Sequence, residues 1–148
     1  MKRITTIETI TLLTLSLFLY AGISKIMDYT LFREQLAVSP LLKAFAGAIA
    51  VGLPILELAL VVLLIVPRWR LKGLYGSLIL LSVFTVYIAV MMLTSDHLPC
   101  SCGGLLEQLS WKGHIFFNGG FILANAIAIR LEKTSRKQKK EDLTAAFG

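Results

Sequence analysis

Residues 44–66 read AFAGAIAVGLPILELALVVLLIV, an unbroken apolar run with one charged residue, Glu57. A hydrocarbon core about 30 Å thick takes roughly 20 residues of helix to cross, at about 1.5 Å each. This stretch therefore has the length and composition of a membrane span. Its opening dipeptide context, Ser39-Pro40, predicts a helix start just upstream, and Pro54 predicts a kink of the kind membrane helices tolerate. Three more runs have the same character: 7–26, 73–93 and 114–131, the last with Ser110 as its expected N-cap. The first follows a basic start at Lys2 and Arg3. It is long for a signal-peptide core and no small-x-small cleavage site follows, so it is expected to be retained.

Composition points the same way. Of 148 residues, 56% are hydrophobic and 16% charged, against about 25% charged in a soluble domain. Mean hydropathy is +0.76. These values exclude an ordinary soluble domain and a disordered chain alike. Four spans consume roughly 80 residues, which leaves short loops and no second folded domain. The expected organisation is a four-span membrane domain over 1–131 and a basic tail over 132–148, polar enough to be largely disordered. The fold class is all-α, a four-helix transmembrane bundle. Residues 27–43 mix Tyr29, Leu31, Phe32, Leu36 and Val38 with Asp28, Arg33, Glu34 and Gln35, which predicts a short interfacial helix after the first span.

Charge placement predicts orientation. The N-terminus, the 67–72 turn and the tail carry Lys2, Arg3, Arg68, Arg70, Lys72, Arg130, Lys133, Arg136, Lys137, Lys139 and Lys140; the other side carries only Lys25, Arg33, Lys43 and Lys112. The positive-inside rule then puts both termini in the cytoplasm. The same asymmetry accounts for the net charge of +6, so nucleic acid is not an expected partner. The chain holds no P-loop, G-x-G-x-x-G, H-E-x-x-H or nucleophile elbow.

Two places concentrate chemistry. The first is the loop His97-Leu-Pro-Cys100-Ser-Cys102-Gly103-Gly104, with Trp111 beyond it as an interfacial anchor. Outside the cytoplasm disulfides persist. As a staple, a three-residue ring contributes only about 1.6 kcal/mol by chain entropy, before strain is subtracted. Strained, exposed disulfides tend to be catalytic, which favours a redox pair at Cys100 and Cys102, with Gly103 and Gly104 giving the backbone freedom to close the ring. Metal ligation competes, with His97, Cys100 and Cys102 as ligands and Asp96 and His114 nearby in kind; inert thiols are the remaining reading. The second place is Glu57. A carboxylate inside the membrane is a functional-site hypothesis by default. Ser16, Ser82 and Asn125 lie at comparable depth, and a neutral Glu57 hydrogen-bonding across helices is the bland account. Lys25, at the outer end of the first span, is expected to snorkel outward.

Three motifs carry a resemblance. Gly22-Ile23-Ser24-Lys25, followed by Asp28 and Phe32, resembles the G-x-x-K signature of DoxX-like membrane proteins, and Pro54-Ile55-Leu56-Glu57-Leu58 resembles their P-x-x-E-L element. Pro99-Cys100-Ser101-Cys102-Gly103-Gly104, then Leu109-Ser110-Trp111 and Asn118, is similar to the MauE branch, the methylamine utilisation proteins. The resemblance covers residues 1 to about 131. It implies a redox-associated bundle in the bacterial cytoplasmic (inner) membrane that assists maturation of a disulfide-rich partner, as MauE is thought to do for methylamine dehydrogenase. The implied partner is an extracytoplasmic thiol or disulfide protein, such as one of thioredoxin fold. Cys100 and Cys102 are the implied redox pair of a thiol–disulfide oxidoreductase-like protein, with Lys25 and Glu57 as motif positions. The C-x-C spacing departs from the C-x-x-C of DsbB-like and vitamin K epoxide reductase-like bundles, so a quinone is implied by analogy alone. The contrasting expectation is a scaffold or small-molecule carrier built around Glu57.

Overall fold

A computed structural model describes residues 2–94 and 111–147. Among these residues five α-helices follow one another: α1 (Lys2–Met27), α2 (Tyr29–Val38), α3 (Ala46–Ile65), α4 (Arg70–Thr94) and α5 (Trp111–Phe147). A single 3-10 turn, Lys43–Phe45, leads into α3. The four long helices α1, α3, α4 and α5 are each apolar and long enough to cross a membrane. They are the four spans that periodicity and length predict, with α2 as the expected short helix after the first. Helices α1, α4 and α5 outrun their apolar stretches at both ends, because backbone hydrogen bonding continues into polar flanks that hydropathy leaves out, whereas α3 lies within its run of 44–66.

The bundle is arranged so that α1 and α4 each pack against α3 and α5. Three clusters define its levels. Ile10 and Leu15 of α1 meet Leu64 of α3, Leu71, Leu74 and Leu78 of α4, and Ala128 and Ile129 of α5. Phe18, Leu60, Val61 and Leu81 form a middle layer with Phe121 and Ile122 packed on it. Phe32 and Leu36 of α2 cover Ala46 and Ala50 at the start of α3. The helices therefore run up and down. The start of α1, the α3–α4 turn and the far half of α5 share one end, and α2 marks the other.

Side chains are distributed as in a membrane protein. Leu12, Ile23, Ile55, Val62, Ile79, Val83 and Phe116 face outward, whereas Thr14, Lys25, Glu57, Ser77, Asn118 and Asn125 are buried. Lipid satisfies the outer apolar face, and the inner polar groups must find partners inside the bundle. Many do so within their own helix: Thr11, Ser82 and Thr85 donate to the carbonyls of Ile7, Leu78 and Leu81 at 2.7 Å each. Asn125 Nδ2 donates to the Phe121 carbonyl at 2.8 Å and to Thr14 Oγ1 at 3.2 Å, tying α5 to α1.

Two expectations change. The tail does not lose structure after residue 131; α5 continues as helix to Phe147. Local pairs support it, with Arg136 Nε on Glu132 Oε1 at 2.8 Å and Lys137 facing Glu141 at 3.7 Å. Arg136 also reaches back to the Pro67 carbonyl at 2.8 Å, clamping the extension to the α3–α4 turn. Ser39 does not start a helix. It ends α2, and its hydroxyl is within hydrogen-bond distance of the Tyr87 hydroxyl at 2.9 Å, so α3 begins later, at Ala46. Pro54 lies buried within α3, and the helix continues through it.

Close packing of α3 on α4 depends on Gly73. A Cβ there would lie 3.0 Å from the Leu64 backbone nitrogen and from its side chain, and backbone cannot swing aside. Gly73→Ala should destabilise the bundle by about 1–3 kcal/mol through overpacking. Gly119→Ala, where a Cβ meets nothing within 4 Å, should not. Thermal unfolding of the two variants in detergent makes the comparison; equal midpoints would contradict this packing.

Candidate functional site

Lys25 lies three residues after Gly22, so both occupy one face of α1. Side chains on a helix lean toward its N-terminus. Lys25 accordingly turns back into the bundle and not outward. Its ammonium lies 2.9 Å from Glu57 Oε1 and 3.2 Å from Oε2, and it donates to the Ala21 carbonyl at 3.2 Å. The Phe32 ring of α2 sits beside it, with its centroid 5.7 Å from Nζ. Both side chains are almost fully buried, at 8% and 7% exposure. The expectation that Lys25 snorkels is overturned. An acceptor-only carboxylate inside the bundle attracts the ammonium more strongly than distant water does.

The approach of α1 to α3 makes this possible. At Gly22 an added Cβ would come within 3.3 Å of the Leu58 side chain and 3.5 Å of Glu57 Cβ. The two helices meet closely where the charges meet. Glu57 is eight residues from the end of α3 at Ile65, about 12 Å along the axis. It is well inside the span. Two charges there are each costly, and only pairing with full hydrogen bonding offsets much of that cost. The three ammonium protons match three acceptors: two carboxylate oxygens and the Ala21 carbonyl.

The pair lies beside a partly open cavity of about 70 Å³ between the four spans, whose walls include Phe18, Tyr20, Leu53, Glu57, Phe84 and Asn118. All four spans contribute to it. Asn118 is 4% exposed, and its Nδ2 has no hydrogen-bond partner among the described residues. His114 is buried one turn before it on the same side of α5.

The structure thus joins Lys25 to Glu57, two motif positions that the sequence leaves unconnected. The polar layer expected around Glu57 does not form as drawn. Ser16 is exposed, Ser82 bonds within its own helix, and Asn125 pairs with Thr14 one layer away. His97, Cys100, Cys102, Gly103 and Gly104 lie outside the described residues, as do Asp96, Ser110 and the Trp111 side chain, so the redox and metal readings rest on sequence. Sequence reasoning missed Thr14 and the inward course of Lys25. The signal was present: Thr11, Thr14, Phe18, Gly22 and Lys25 recur at intervals of three and four and mark the buried face of α1.

Removing either charge strands the other inside the bundle. Lys25→Met and Glu57→Gln should each destabilise the folded bundle by roughly 3–5 kcal/mol. Equilibrium unfolding in mixed micelles measures this. A Glu57→Gln protein as stable as the parent would mean that the residue acts as a neutral packing group and not as a counter-charge.

No match was found among curated proteins or among solved structures. A family model described as "Methylamine utilisation protein MauE" matches residues 2–131. That span takes in the four apolar runs, the Gly22/Lys25 and Glu57 pairing and the cysteine-bearing segment, and stops where α5 leaves its apolar part. The chain is therefore a multi-pass membrane protein that belongs to the MauE family.

Proposed function

We propose that this protein carries out thiol–disulfide exchange outside the cytoplasm, through Cys100 and Cys102, and thereby assists maturation of a secreted or membrane-anchored partner. By family resemblance the partner is of the methylamine dehydrogenase type, reached directly or through a thioredoxin-fold protein. The observation that carries the reading is the Cys100-Ser101-Cys102 spacing in the segment between α4 and α5, within the matched family region. Two further points support it. The described residues before that segment, at the end of α4, lie at the α2 end of the bundle, where Tyr87 meets Ser39. The opposite end carries most of the Lys and Arg, which by the positive-inside rule favours a cytoplasmic location for both termini and an extracytoplasmic one for the cysteines.

The exchange balances without another reactant. A partner thiolate attacks one sulfur of the Cys100–Cys102 disulfide, and the other sulfur leaves as thiolate. A second partner thiolate then attacks the partner's own sulfur in the mixed disulfide. The partner gains a disulfide and the protein is left with two thiols, two electrons having moved; the reverse sequence reduces a partner disulfide and regenerates the Cys100–Cys102 disulfide. These steps need neither Lys25 nor Glu57. The pair holds α1, α2 and α3 together at the end from which the segment emerges. A second reading, a scaffold or small-molecule carrier, draws on the largely apolar cavity beside Glu57.

Cys100→Ser and Cys102→Ser should insert normally and both lose partner maturation. One of them should accumulate as a mixed disulfide, which mass spectrometry then identifies. A tight ring should also have a potential above the roughly −300 mV typical of structural disulfides. Full maturation in both serine variants would leave the carrier reading. Topology is checked separately: a membrane-impermeant maleimide should label Cys100 or Cys102 in intact, reduced cells. Labelling only after lysis would reverse the orientation.

A further inference from the structure

The cavity beside Glu57 poses a hydrogen-bonding problem that the protein chain leaves unsolved. Asn118 Nδ2 offers two donors, is enclosed by the bundle and has no partner among the described residues. The Lys25 protons are already engaged, by the two Glu57 oxygens and the Ala21 carbonyl. Each Glu57 oxygen accepts from Lys25 and retains further acceptor capacity. The space between therefore calls for a group that accepts from an amide and donates to a carboxylate. A hydroxyl does both. An unpartnered amide in a bundle interior costs the full desolvation of its N–H groups, which is why such groups normally bind ordered water.

Size narrows the class. The cavity of about 70 Å³ exceeds the roughly 10–15 Å³ that a single water molecule requires. An aromatic ring occupies a cavity nearer 150 Å³, about twice as large. The walls complete the picture. Phe18 lines the cavity and belongs to the middle layer with Leu60, Val61 and Leu81, so an apolar floor separates it from the Thr14–Asn125 layer below. From that floor the lining residues run toward the α2 end: from Leu17 to Lys25 on α1, from Glu57 back to Leu53 on α3, and from Leu80 to Phe84 on α4.

We propose that this cavity is an internal water site, in which water accepts from Asn118 Nδ2, donates to Glu57 and hydrates the Lys25–Glu57 pair. The ion pair is then a hydrated site for hydrogen-bond and proton exchange within the membrane, closed toward the termini by the Phe18 layer. This holds whether or not the cysteines are redox-active.

Radiolytic hydroxyl-radical footprinting of the protein in lipid nanodiscs tests the proposal, because radicals form from water next to the residues they modify. Phe18 is 4% exposed, whereas Phe116 is 82% exposed on the lipid-facing surface. The expected result is modification of Phe18 and Phe84 several-fold faster than of Phe116. Asn118→Leu, which fills the cavity and removes its donor, should bring the two inner residues down to the Phe116 rate. Inner residues modified no faster than Phe116 in the parent protein would overturn the proposal, and that comparison stands even if the leucine variant does not fold. A pattern unchanged by a folded Asn118→Leu variant would overturn it equally.

Discussion

A lysine and a glutamate, both nearly out of contact with solvent, face each other where α1 crosses α3. Neither charge is tolerable alone at that depth, and much of the architecture follows from keeping them together. Gly22 lets the helices approach, the Ala21 carbonyl takes the third ammonium proton, and Phe32 of α2 lies beside the cation. The short helix is thus more than a connector. It covers the outer side of the pair while its Phe32 and Leu36 pack on the start of α3. Buried ion pairs contribute little net stability compared with apolar residues of the same shape, but a broken pair costs a great deal. The pair therefore acts mainly as a specificity device: it sets which face of α1 meets α3 and at what register.

The rest of the bundle obeys the same rule of interior satisfaction. Lipid is as apolar as leucine, so helices in a membrane gain nothing from burying leucines and instead rely on close packing and a few polar contacts. Gly73 brings α4 onto Leu64, and Asn125 joins α5 to Thr14 of α1. Between this inner polar layer and the ion pair lies the apolar layer of Phe18, Leu60, Val61 and Leu81. The protein thus has two polar levels divided by a hydrophobic one. The chemistry proposed for the cysteines belongs to the end nearer the ion pair.

Four spans and the short helix after the first were legible from the sequence, because a 20-residue apolar run has few alternatives and α2 alternates charge with large apolar residues. Lys25 and Glu57 were legible as individual residues and not as a pair. Pairing depends on which face of α1 turns inward, and an outward-snorkelling lysine has the same local sequence as an inward one. The helical tail is not legible from polarity, because it depends on the i,i+4 pairs Glu132–Arg136 and Lys137–Glu141 and on the clamp of Arg136 on Pro67. The place of Ser39 is hidden for a related reason. Its hydroxyl serves a tertiary contact with Tyr87, 48 residues away, which no local motif announces. Asn118 was noticed as part of a family motif, but its cavity exists only once all four helices are in place.

The central claim is that Lys25 and Glu57 are held in the bundle by each other. A double-mutant cycle measures this directly, comparing Lys25→Met, Glu57→Met and the double variant by equilibrium unfolding in the same lipid–detergent mixture. The account predicts that the second substitution rescues much of what the first loses, with a coupling energy on the order of 2 kcal/mol or more. Additive losses, with coupling near zero, would contradict it.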